Sequence, residues 1–178
     1  MKLRSLSKIL TGMEAQEVRE QLTEKDTAVL KRRRAIIVLS LVGLGTAAAA
    51  SLLQTGVVRH LPDPPKGNFD ADKVVKSDEA YAFGVPDATI ALVGLAANVP
   101  IAAFGGTNRA GEQPIVPIFA AGKSAVEAVF AGWYFYQMPT KEKAWCAYCI
   151  LGAAAYFSIF ALALPEAFDA FGKLVKRH

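Results

Sequence analysis

Cysteine and histidine are almost absent from this chain. Its 178 residues hold two cysteines, Cys146 and Cys149, and two histidines, His60 and His178. A zinc site takes about four ligands. With no other cysteine and only those histidines, no metal site is expected. Haem attachment through a Cys-x-x-Cys pair needs a histidine directly after the second cysteine, and Ile150 stands there. There is no internal repeat and no low-complexity tract. Ionisable residues do not recur as pairs across several apolar segments, which argues against a transporter or a channel.

Apolar residues are abundant, at 53% of the chain, with a mean hydropathy of +0.28. They gather in four runs: Ala35 to Val58, Val85 to Phe104, Ile115 to Met138 and Trp145 to Leu164. Each is long enough to cross a hydrocarbon core of ~30 Å at ~1.5 Å per residue. Alanine and glycine are frequent in all four, as where membrane helices approach closely. The composition predicts an all-α integral membrane protein, a bundle of four transmembrane helices in one domain (residues 35–165). A polar, basic segment (1–34) precedes it and a short tail (166–178) follows. Pro165 is expected to close the fourth helix.

The first run has a rival reading as a signal peptide, because "KRRR" at Lys31 to Arg34 precedes it and small residues follow at Ala47 to Ala50. More than thirty residues stand before it, and it exceeds an h-region of ~7–15 residues. It reads as a retained helix. Lys2, Arg4, Lys8, Arg19, Lys25 and Lys31 to Arg34 place the N-terminus in the cytoplasm by the positive-inside rule. Four crossings return Lys173, Lys176 and Arg177 to the same side, with the Arg109 loop. The 59–84 and 139–144 loops then face outward. Lys141 and Lys143 run against this scheme but are outweighed. Ile9, Leu10, Met13, Val18 and Leu22 recur at roughly helical spacing, so 1–34 is either an amphipathic helix on the membrane or a flexible tail. The basic cluster reads as a topogenic anchor that favours anionic lipid. A nucleic-acid partner is not expected.

In the first outer loop, Pro62, Pro64, Pro65 and Gly67 break regular structure, while "ADKVVKSDEAYAF" suits a short helix. Asp87 reads as a helix N-cap, and Asn98 with Pro100 as a kink or a polar interhelical contact. Lys123 and Glu127 lie i,i+4 inside the third run. Either Lys123 snorkels to the cytoplasmic surface, or the two form a buried pair serving another subunit or a proton path.

The cysteines open the last run, in "KAWCAYCILGAAAYF". On a helix this spacing turns both sulfurs to one face. The first thiol meets the positive end of the helix dipole, which lowers its pKa. On the outer, oxidising side such a pair can form a disulfide. The bland alternative is two small buried residues with inert thiols.

"WCAYC" at the head of the last helix resembles the vitamin K epoxide reductase family. "KSDEAYAFGVPDATIALVGL" (76–95) is similar to the family's stretch before its second helix, and "SAVEAVFAGWYFYQM" (124–138) to its third helix. Together these span roughly residues 35–165. The resemblance implies a four-helix membrane thiol oxidoreductase of a bacterial inner membrane. Cys149 would face a quinone and form an adduct with it, while Cys146 would exchange with a thioredoxin-like or other envelope thiol protein. Tyr81, Phe83, Trp145 and Tyr148 would wall the quinone pocket, though each also reads as an interfacial aromatic. Menaquinone, ubiquinone and vitamin K-type naphthoquinones all remain open. The chain departs from the family in two ways. The outer loop lacks the usual second cysteine pair, with Ala71-Asp72-Lys73-Val74-Val75 where a loop cysteine is expected. Ala80 and Ala153 stand where polar side chains would bind the quinone. A standard relay is therefore impossible. Either a partner's thiols reach Cys146 directly, or the fold serves as a non-catalytic subunit of a larger membrane complex.

Overall fold

The computed structural model describes residues 8, 10–23 and 26–176. Lys2, Arg4, Ile9, Lys25, Arg177 and His178, which entered the reading above, lie outside them. The chain is helical: α1 (Ala15–Thr23), α2 (Ala28–Gln54), α3 (Ala71–Val75), α4 (Asp87–Ala103), α5 (Arg109–Glu112), α6 (Ile115–Gln137) and α7 (Ala147–Val175). A 3-10 turn (Asp78–Tyr81) precedes α4, and a π turn (Met138–Glu142) extends α6. Among the described residues there is no strand, only a single parallel bridge between Phe69 and Trp145.

Three helices are long and apolar enough to cross a membrane: Ala28–Gln54, Ile115–Glu142 and Ala147–Val175. The fourth apolar helix, α4, has 17 residues and reaches about 25 Å at ~1.5 Å per residue. It starts at Asp87 because Pro86 takes the N-cap position. Asp87 is thus the first helical residue and not the cap, and its carboxylate accepts from Gln54 Nε2 at 2.6 Å.

Helix α2 packs along α4 and α7, and α6 packs along α7, whereas α4 and α6 stand apart. The contacts rest on small residues, with Ala47, Ala102, Ala121 and Ala163 buried around Ile36, Leu95 and Ile159. Gly43 lets α2 and α4 meet: a Cβ there would lie 2.9 Å from Leu95 Cδ2. Elsewhere the long helices turn large apolar side chains outward, among them Val93, Val129 and Trp133. That inversion suits a lipid solvent.

Two expectations fail at the end of the bundle where α4 stops. The first helix begins at Ala28, capped by Thr27 Oγ1, which accepts from Leu30 N at 3.3 Å. Part of the basic cluster therefore lies inside the bundle. Arg33 is 2% exposed, so it is no headgroup anchor. Its guanidinium donates to the carbonyls of Ala102 (2.6 Å), Phe104 (2.5 Å), Gly105 (3.1 Å) and Gly106 (3.0 Å). Nor does Pro165 end the last helix, which runs on to Val175 through the expected tail. Membrane helices tolerate proline where neighbours hold the freed backbone. Here Glu166 anchors the next turn, accepting from Arg109 Nε and Nη2 at 2.7 Å each.

The N-terminal segment docks on this end. Gln21 Oε1 accepts from Thr107 N at 2.9 Å, Gln113 Nε2 donates to Leu10 O at 2.9 Å, and Met13 is buried.

Removing one partner of a buried bidentate pair strands a charge. Glu166→Ala should lower stability by about 3–5 kcal/mol, read as the unfolding midpoint in detergent. Lys173→Ala, which breaks the exposed pair with Asp169, should change it by under about 0.5 kcal/mol.

Candidate functional site

Cys146 is the N-cap of α7, in extended backbone, and its Sγ accepts from the Cys149 N–H at 3.1 Å. The cap places Cys149 in the first helical turn, and the two cysteines are joined as a disulfide with Cα atoms 5.2 Å apart. The approach to the cap is fixed from outside. Lys143, in the left-handed region at φ 53°, closes the π turn, and its carbonyl accepts from Asn68 Nδ2. Trp145 N donates to Asn68 O at 2.8 Å, and Asp70 N to Trp145 O at 2.9 Å. The 59–84 loop is thereby clipped over the disulfide.

That loop is a lid. Leu61, Ala71 and Val75 pack with Ala50, Leu53 and Met138 around Cys146, which is 0% exposed. Carboxylates hold the lid's backbone together. Asp63 accepts from Ala71 N (3.0 and 3.1 Å), and Asp72 from Leu61 N at 2.9 Å and the His60 ring at 3.0 Å. Tyr148 Oη donates to Pro62 O at 3.1 Å.

Beneath the lid lies a cavity of about 500 Å³ between α2, α4, α6 and α7. That is within the ~300–1,000 Å³ range of small-molecule sites. Its walls are mostly apolar, and Cys149 belongs to them while Cys146 does not. Five of its lining residues, Phe83, Ile90, Val126, Phe130 and Phe135, are also exposed on the bundle's outside. The cavity therefore opens sideways where α4 and α6 part. Phe83 and Phe130 meet edge to face across this opening, with centroids 6.2 Å apart.

Of the aromatics expected to wall a pocket, Phe83 and Tyr148 line the cavity; Tyr81 and Trp145 do not. Tyr81 Oη donates to Gln54 O at 3.0 Å, tying the 3-10 turn to the end of α2. Trp145 packs behind Phe135, at 5.7 Å between centroids. Ala80 and Ala153 both line the cavity, so neither offers a polar atom there.

The polar wall comes from residues that sequence reasoning did not assign to a pocket, among them Gln54, Asp87, Glu127, Tyr134, Gln137 and Tyr156, with Thr46, Ser77, Glu79 and Glu142 at its margins. A signal was present. Gly152, Ala153 and Tyr156 follow Cys149 by three, four and seven residues, and Phe130, Ala131, Tyr134 and Gln137 follow Glu127 at helical spacing. Gln54 is spent on structure: its Nε2 donates to Asp87 and to Val75 O (3.0 Å), and its Oε1 accepts from Ala88 N (3.2 Å). Lys123 does not snorkel. Its Nζ donates to Gly94 O (2.8 Å), Asn98 Oδ1 (2.9 Å) and Glu127 Oε1. Asn98 Nδ2 donates to Glu127 Oε2 at 3.2 Å. All three ammonium protons are used, and the cluster ties α4 to α6 at the edge of the cavity away from the disulfide. Asn98 is thus the polar interhelical contact.

These features define a class: a membrane protein with a disulfide between a loop-covered end of the bundle and an apolar, laterally open cavity. A profile of the Vitamin K epoxide reductase family matches residues 34–164, and the chain belongs to that family. No curated protein and no solved structure matches it significantly.

Partial burial pushes the Asp72 carboxyl up, but the Leu61 N–H, the His60 ring and the Lys76 ammonium outweigh it and hold the group below the usual carboxylate range. A carboxyl depressed on folding stabilises the lid above its unfolded pKa of ~3.9, and that contribution is lost as pH falls through the lower folded value. Peptic cleavage within 59–75 should therefore begin only in strong acid. Asp72→Asn should begin at higher pH, as read by mass spectrometry of the fragments.

Proposed function

We propose that this chain oxidises an envelope thiol protein through Cys146 and Cys149 and hands the electrons to a quinone held in the cavity. One observation carries the reading: the disulfide has Cys149 in the cavity wall and Cys146 under the lid. The residues fit such a ligand. The cavity is apolar, large enough for a fused-ring quinone, and open toward lipid, where an apolar tail would lie. A quinone bound there would accept two electrons and two protons, the number released when two thiols become one disulfide.

The chain's own part follows from the geometry. A partner thiolate attacks Cys146 Sγ, breaking the Cys146–Cys149 bond and forming a mixed disulfide. A second partner thiol then displaces Cys146, leaving the pair reduced and the partner oxidised. The Cys149 N–H and the positive end of α7 stabilise negative charge on Cys146 Sγ. Cys149 Sγ addresses the cavity, and the apolar walls exclude water from it. Because Cys146 has no exposed surface, the lid must lift for a partner to reach it. The missing loop cysteines make that direct approach necessary.

We place the termini on the cytoplasmic side of a bacterial inner membrane, with the lid facing the envelope and α4 as the fourth span. Residues 1–34 are the cytoplasmic segment, 35–165 the membrane domain and 166–178 the cytoplasmic tail, of which 166–175 continue α7. A second reading, a non-catalytic subunit of a larger complex, is favoured by the missing loop cysteines and by Ala80 and Ala153.

Cys146→Ser and Cys149→Ser should each abolish thiol-dependent quinone reduction. Only Cys149→Ser should accumulate a mixed disulfide on Cys146, seen as a reducible band on a gel. In native membranes, mass-tag alkylation should show the pair shifting toward disulfide on addition of quinone. An unresponsive pair, or full activity in either variant, would favour the subunit reading.

A further inference from the structure

Three buried side-chain atoms among the described residues have no hydrogen-bond partner: Arg32 Nε, Gln113 Oε1 and Gln137 Nε2. Of these residues only Gln137 lines the cavity. It is 7% exposed and ends α6, directly before Met138, which packs against Cys146. Gln137 therefore stands at the dithiol end of the cavity, away from the Lys123–Glu127 cluster.

An unsatisfied buried amide donor costs about 1–3 kcal/mol, and native proteins rarely carry one without a reason. The amide torsion of glutamine is soft, so a turn about the last side-chain bond swings the –NH₂ between the packed end of α6 and the cavity it lines. Three of the other polar side chains on these walls are engaged. Gln54 is saturated, Glu127 accepts from Lys123 and Asn98, and Tyr156 Oη donates to Ala91 O at 3.4 Å. Ala80 and Ala153 offer nothing.

We infer that Gln137 is a ligand-binding residue, its Nε2 donating to a carbonyl oxygen of a quinone beside Cys149. This rests on the function proposed above and deepens it. The match is chemical: an oxidised quinone has acceptors and no donors, and an amide –NH₂ is a donor that lacks an acceptor. Gln137 thus supplies from α6 the polar contact that Ala80 and Ala153 cannot make, and it favours the oxidised ligand.

The test uses Gln137→Leu, which keeps the shape and removes the amide. The full chain is placed in lipid nanodiscs, and binding of menadione is measured by quenching of tryptophan fluorescence. 2-Methylnaphthalene, of similar shape but without the oxygens, is the control, its binding read by equilibrium dialysis. Gln137→Leu should weaken menadione binding about tenfold, the effect of one hydrogen bond, and leave the hydrocarbon unchanged. Its thermal midpoint without ligand should stay level or rise, because an orphan donor has been removed. A structural role would instead lower the midpoint and affect both ligands equally. Gln137→Asn, whose shorter amide falls back from the cavity, should match Gln137→Leu in affinity. Equal menadione binding by wild type and Gln137→Leu overturns the inference and leaves the proposed function standing. If the wild type binds menadione no better than the hydrocarbon, both fall.

Discussion

The fold depends on how a short apolar helix ends inside a low-dielectric bundle. Helix α4 stops at Ala103, and its last carbonyls have no helical partner. In lipid such groups must be satisfied internally. Two buried arginines do so. Arg33 from α2 takes the carbonyls of Ala102, Phe104, Gly105 and Gly106, and Arg109 from α5 takes those of Ile101 and Phe104. Positive charge at a helix C-terminus is also favourable for the dipole. Glu166 balances Arg109 from α7, so one polar knot joins α2, α4 and α7 at the end where α4 stops. With that end locked, α4 and α6 can part toward the disulfide end without the bundle coming apart, and their parting is the cavity.

The disulfide end is organised differently. It is held by a loop whose carboxylates bond its own backbone and by a two-residue pairing with the strand-like approach to α7. Few of these bonds are deep, and several lie near solvent, the signature of a segment that opens locally before the core does. Cys149 lies in the wall of the apolar cavity, and Cys146 is buried beneath the loop.

The Lys123–Glu127–Asn98 cluster stands between these two ends. Buried charges are a liability unless every donor is matched, and here each ammonium proton is. Gly94 makes room for it, since a Cβ there would lie 2.5 Å from Glu127 Oε1. The cluster bridges the two helices that otherwise barely touch, and so sets the inner limit of the lateral opening.

Much of this was legible in the residues alone. Apolar run length located the four apolar helices, because hydrocarbon thickness is a one-dimensional constraint that sequence meets directly. Cys146 and Cys149 stood out because their spacing is local, and "WCAYC" with its upstream stretches carried the family resemblance that the profile match bears out. What sequence could not decide was direction and partnership. Arg33 looked like any other member of a basic cluster until α4 ended beside it, and Pro165 looked like a stop until Glu166 met Arg109, fifty-seven residues away in sequence. Tyr81 and Trp145 differ from Phe83 and Tyr148 only in where the loop and the α7 cap turn them. Burial, hydrogen-bond satisfaction and the cavity are properties of several helices at once, so only their packing could assign them.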